Sequence, residues 1–63
     1  MNTKFTDDDL AKCARRELSQ RRRVYARLVK EQKMDSESAG IEIAMMEQIA
    51  EYFEDKAHPQ LFK

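Results

Sequence analysis

Apolar residues along this chain recur at helical spacing in two long stretches, separated by a short polar break. Taken at 100° per residue, the second stretch, Ala39 to Ala57, gathers its apolar side chains into an arc of about 200°. An ordinary surface helix needs a stripe of only about 100° or somewhat more, so this helix carries more apolar surface than one small partner helix covers. Ile43, Met46, Ala50 and Phe53 point one way, Ile49 sits beside them, and Ile41, Met45 and Tyr52 form a side stripe at spacings of four and seven. Glu47, Gln48, Glu51, Glu54 and Asp55 form a polar wedge, while Glu42 falls inside the apolar arc.

The first stretch predicts a helix from about residue 7 to residue 32 or 33, with no Gly or Pro inside it. Thr6 followed by Asp7, Asp8 and Asp9 reads as a helix start. The threonine caps, the acids complement the helix dipole, and Asp9 stands where a capping box needs an acceptor. The aspartates lack the following Gly and bidentate Glu of a calcium loop, so capping is the preferred reading. Leu10, Ala14, Leu18, Tyr25 and Leu28 form an apolar stripe, and positions 11, 14, 18, 21, 25, 28 and 32 keep the heptad spacing of long antiparallel helices. Glu17 and Arg21 intrude on that stripe, four residues apart with the acid first, the favoured order for a helical ion pair.

The break at residues 34–36 is short enough to make the helices antiparallel neighbours. Asp35 is the expected cap of the second helix, with Ser36 as the alternative, and Met34 is placed for a hydrophobic staple. That helix is expected over about residues 36–56. Gly40 inside it costs about 1 kcal/mol against Ala, for which close approach of another helix offers a reason. Pro59 ends the helical pattern, and Leu61 and Phe62 leave room for a short strand or extended arm over residues 57–63, pairing with Thr3-Lys4-Phe5.

Length changes the picture next. Chains under about 70–80 residues seldom stabilise a lone core without disulfides, a metal or oligomerisation. Sixty-three residues with one cysteine exclude an intrachain disulfide, and a free thiol fits a reducing compartment. The expected fold is therefore mainly α: one domain, an antiparallel two-helix hairpin that pairs with a second copy into an intertwined homodimer with a four-helix core. Leu10, Leu18, Tyr25, Leu28, Ile43, Met46, Ile49 and Phe53 are its expected core and dimer residues. Placing the turn near Asp35 sets Arg21 and Glu42 about 10 Å apart along one hairpin. On that register Glu42, with Glu17, is expected to meet Arg21 across the dimer interface. The stripe Ile41, Met45 and Tyr52 is either further dimer contact or an exposed cleft for an amphipathic helix of another protein.

Charge is balanced overall but divided. Residues 1–33 hold ten Lys/Arg against five Asp/Glu, and residues 34–63 two against seven, giving halves of +5 and −5. Either the two arms of a hairpin attract each other, or the first helix offers a basic face, Arg15, Arg16, Arg22, Arg23 and Arg27, to an acidic partner or nucleic acid. No aromatic residue interleaves that face, and a long hairpin lacks helix-turn-helix geometry, so nucleic acid ranks behind protein as the expected partner.

No Gly-rich phosphate loop, Cys-x-x-Cys, His-Glu-x-x-His or nucleophile–base pair occurs, so no enzyme activity, metal or cofactor is expected. His58 reads as a tail residue and Cys13 as a small packed residue at the edge of the first stripe. No apolar run reaches the roughly 18 residues of a membrane span, and Met1 to Thr6 leads into acids rather than a signal sequence.

The run Arg21-Arg22-Arg23-Val24-Tyr25 with Leu28-Val29, then Lys33-Met34 and Glu42 to Ala50, resembles small proteins of temperate bacteriophages. Length and the start Thr6-Asp7-Asp8-Asp9-Leu10-Ala11 look like the 63-residue early-region proteins of lambdoid phages, encoded between the recombination and excision genes. The resemblance covers most of the chain but rests on no chemical signature. It implies a non-catalytic protein made early in infection, acting in the bacterial host cytoplasm, favouring lytic development by binding a host or phage protein, and folded as an intertwined helical dimer. It supplies no catalytic residues and no named partner. Gly40 departs from the family pattern, which more often has a charged residue there.

Overall fold

The computed structural model describes residues 4–58, so the expected strand or arm at residues 59–63, and its pairing with Thr3, lie outside the described residues. Two helices make up the fold, α1 (Asp7–Lys30) and α2 (Ser36–Ala57), packed as an antiparallel hairpin with no strand among the described residues.

Both helix starts are fixed by side chains that satisfy otherwise orphaned amides. The Asp9 amide donates to Thr6 Oγ1 at 3.0 Å and the Thr6 amide donates to Asp9 Oδ2 at 3.1 Å, closing a reciprocal capping box. At α2 the Ser38 amide donates to Asp35 Oδ2 at 3.0 Å, so Asp35 rather than Ser36 is the cap. Half-buried Met34 and buried Ala39 occupy the staple positions on either side of it.

The end of α1 comes two to three residues earlier than its apolar pattern implies. The Gln32 amide donates to Val29 O at 3.0 Å and the Lys33 amide to Leu28 O at 2.8 Å, the pair of bonds that defines a Schellman motif. Gln32 takes the left-handed conformation that this motif requires, with φ 61°. Glycine normally fills that position, and its absence hid the stop in the sequence. The connection therefore runs from Glu31 to Asp35, centred on Lys33 rather than on Asp35. At its other end α2 runs through Ala57, with His58 as the capping residue.

Seam residues alternate at spacings of three and four on both helices. On α1 they are Ala11, Ala14, Leu18, Arg21, Tyr25 and Leu28, and on α2 Ala39, Ile43, Met46, Ala50, Phe53 and Ala57, all buried or half-buried. The tightest part is a cluster of Ala14, Leu18, Met46 and Ala50, with Ile43 packed against it. Leu18, at 1% exposure, is the only large side chain among the described residues that is fully enclosed. Of the expected core, Leu18 and Met46 are buried and Tyr25, Leu28, Ile43 and Phe53 half-buried. Leu10 and Ile49 are exposed on the hairpin. Alanines take the remaining buried positions, because a small side chain at the seam lets the two backbones approach closely.

Candidate interaction faces

The seam divides the hairpin surface into two broad faces of opposite character. Asp8, Arg15 and Arg22, seven residues apart along one flank of α1, meet Glu47, Glu54 and His58 of α2. Arg15 donates from Nε to Glu54 Oε2 at 2.6 Å and from its terminal nitrogen to Oε1 at 2.9 Å, a bidentate fork. Arg22 reaches Glu47 at 3.6 Å, and His58 Nε2 lies 3.1 Å from Asp8 Oδ1. These contacts hold the Asp8 carboxyl below its usual range, through Lys12 first and His58 second, and the Glu54 carboxyl below its own through Arg15. The Glu54 carboxylate in turn raises the Arg15 guanidinium. Two of the five arginines expected on an outward basic face, Arg15 and Arg22, are thus turned across the hairpin and neutralised there. Their common spacing of seven with Glu47 and Glu54 was the signal in the sequence. His58 belongs to this ladder rather than to a free tail.

On the opposite flank, Arg21 stands in the seam itself. It donates from Nε to Glu17 Oε2 at 3.1 Å and from Nη1 to Glu42 Oε1 at 3.3 Å and Glu42 O at 3.4 Å, and the carboxylates, Glu17 foremost, raise its pKa. The expected Arg21–Glu42 pair therefore forms within one chain, not across two. Moving the centre of the turn to Lys33 reduces their offset from seven residues to three, about 4.5 Å at 1.5 Å per residue, which an arginine side chain spans. Because one guanidinium reaches both acids, Glu17 and Glu42 mark the same face of the hairpin.

That face is the apolar one. Leu10 and Val24 of α1 share the flank with Glu17, and Ile49 of α2 shares it with Glu42. Beyond Ile49, Met45, Tyr52 and Ile41 wrap around the outer side of α2. The hairpin leaves Ile41 53%, Met45 47%, Ile49 45% and Tyr52 58% exposed, so none of the four is covered by α1. Met45, Gln48, Ile49, Tyr52 and Phe53 line a shallow open groove there. The groove wall is ordered by an edge-to-face contact between Tyr52 and Phe53, with centroids 5.1 Å apart, and by Lys56 Nζ 5.6 Å from the Tyr52 ring centroid. Cys13, expected to be packed, is exposed on the α1 side of this face.

Gly40 lies on the other flank, in line with Glu47 and Glu54, and a Cβ placed there meets no atom within 4 Å. Close approach of α1 is therefore not the reason for this glycine. Among the described residues no cluster of three His, Cys, Asp or Glu side chains can hold a metal, and no helix is long and apolar enough to cross a membrane.

No family model, no curated protein and no solved structure matches the chain.

Proposed function

We propose that this chain is a non-catalytic binding protein that works as a homodimer. Its apolar face, Ile41, Met45, Ile49 and Tyr52 with Leu10, first seats a second copy, and the part of the stripe left over engages a host or phage protein. The observation that carries the reading is the asymmetry of the hairpin: ion pairs close one face, and the other leaves four large apolar side chains of α2 about half uncovered.

Covering half of such a side chain is worth about 1 kcal/mol, given about 1.5–3 kcal/mol for full burial. One added helix on one copy gains roughly 4 kcal/mol from these four residues, and a symmetric pairing gains about twice that, because each side chain is used in both copies. A two-fold pairing also remedies the small size of the core. The stripe's methionine adapts to more than one partner shape, which suits a surface that serves both a twin and a foreign helix. The likeness to early proteins of lambdoid phages supplies the biological setting: bacterial host cytoplasm, early in infection, in favour of lytic growth.

Sedimentation of the wild type beside Met45→Glu/Ile49→Glu tests the reading. The wild type is expected to move from monomer to dimer as concentration rises, and the double variant to remain a folded monomer by circular dichroism. A wild type that stays monomeric throughout, or a variant that dimerises as well as the parent, overturns it.

A further inference from the structure

The basic residues of α1 sort into two sets once the ion pairs are known. Lys12, Arg15, Arg21 and Arg22 each hold a carboxylate partner. Arg16, Arg23, Arg27 and Lys30 take no ion pair among the described residues, and all four are exposed. Arg16, Arg23 and Lys30 are seven residues apart and form one straight column on the side of α1 directly away from α2, with Arg27 beside them. Ser19 and Gln20 lie between the first two arginines, and a shallow concavity is lined by Arg16, Ser19, Gln20 and Arg23, together with Cys13 and Glu17. Glu17, the acid at its margin, is already bound to Arg21.

We propose that this ridge binds the phosphodiester backbone of nucleic acid. Two features favour that occupant over an acidic protein surface. From Arg16 to Lys30 the ridge has cations and neutral hydrogen-bond donors, and its only large apolar neighbours, Phe5 and Leu10, lie at the Arg16 end; protein interfaces draw their energy from such anchors along their centre, whereas phosphate contacts need only charge and donors. Glu37, Glu51 and Asp55 lie on the outer side of α2, away from this ridge, and Asp9, at the N-terminal end of the column, is engaged in the Thr6 capping box. No base-reading element accompanies the ridge, and the binding is independent of base sequence. It depends on none of the apolar residues assigned to pairing.

The test is fluorescence anisotropy with a 20-base-pair DNA duplex and, separately, a single-stranded RNA of mixed sequence, at salt concentrations from 50 to 200 mM. Four phosphate contacts give a slope of log affinity against log salt of about −3.6 on the duplex, a loss of roughly 150-fold over that range. Arg16→Gln/Arg23→Gln/Arg27→Gln/Lys30→Gln is expected to abolish binding while circular dichroism stays that of the wild type. Arg15→Gln/Arg22→Gln, which removes only paired arginines, is expected to keep the slope. Affinity for the duplex alone, or for both probes, supports the backbone reading and separates its sources. No binding at 50 mM salt overturns it, as does equal binding by the fourfold variant or equal capture by a poly-glutamate of the same charge.

Discussion

Gly40→Ala is the sharpest probe of which face of the hairpin is free. Gly40 is helical, its φ is not positive, and a methyl group added there meets nothing within 4 Å. The substitution therefore has no steric penalty inside the hairpin and recovers the full propensity difference, about 1 kcal/mol. Much of that gain comes from restricting the unfolded chain, so it needs no new contact. Against the 3–5 kcal/mol that a core of this size supplies, it is a large increment. For a domain of 60–100 residues it raises the melting temperature by about 4–8 °C. Urea titrations at low and high protein concentration measure it directly: the midpoint should rise by the same amount at both, with an unchanged slope. Gly40 lies on the ion-paired face and not on the face proposed for pairing, which is why concentration should not matter. Stabilisation at low concentration with a loss at high concentration would mean that a second chain packs its backbone against Gly40, and the assignment of faces would be wrong. A loss at both concentrations would refute the open space itself.

Gln32→Gly should stabilise the hairpin by about 0.5–1 kcal/mol, read from the same urea midpoints, because the left-handed residue costs about 1–2 kcal/mol without glycine and glycine's extra unfolded freedom returns part of it. Leu18→Ala should cost about 2–5 kcal/mol, since its side chain is the fully enclosed one. Arg21→Leu, one turn away in the same seam, should change stability by less than about 1 kcal/mol, because its two acids stay about half exposed to water and an apolar seam residue packs as well. Acid titration followed by circular dichroism should show stability lost as pH falls through the depressed carboxyl values of Asp8 and Glu54. Their folded pKa values lie below the unfolded ones, so the stabilisation is complete above the ordinary carboxylate range near pH 4 and disappears below it. Asp8→Asn and Glu54→Gln should flatten that dependence.

Local chemistry was legible without coordinates. Thr6 with Asp9, and Asp35, announce helix starts because a capping bond spans only three residues. The heptad spacing from Ala11 to Leu28 likewise dictates a shallow antiparallel seam, and the excess apolar arc of α2 dictates that one partner cannot cover it. Registration of one helix against the other was not legible, because it depends on where the chain reverses. Gln32 sets that reversal in a conformation its side chain does not advertise, and the two-residue shift of the turn centre brings Arg21 to Glu42 within one chain. The same step decides which acids Arg15 and Arg22 meet: their spacing of seven matches that of Glu47 and Glu54, yet only the register set at the turn brings the two pairs to the same height across the seam. Helices and their caps follow from contacts three or four residues apart, whereas partition of the surface into a closed ionic face, an open apolar face and a free basic ridge follows from contacts between the two helices, up to fifty residues apart in the chain.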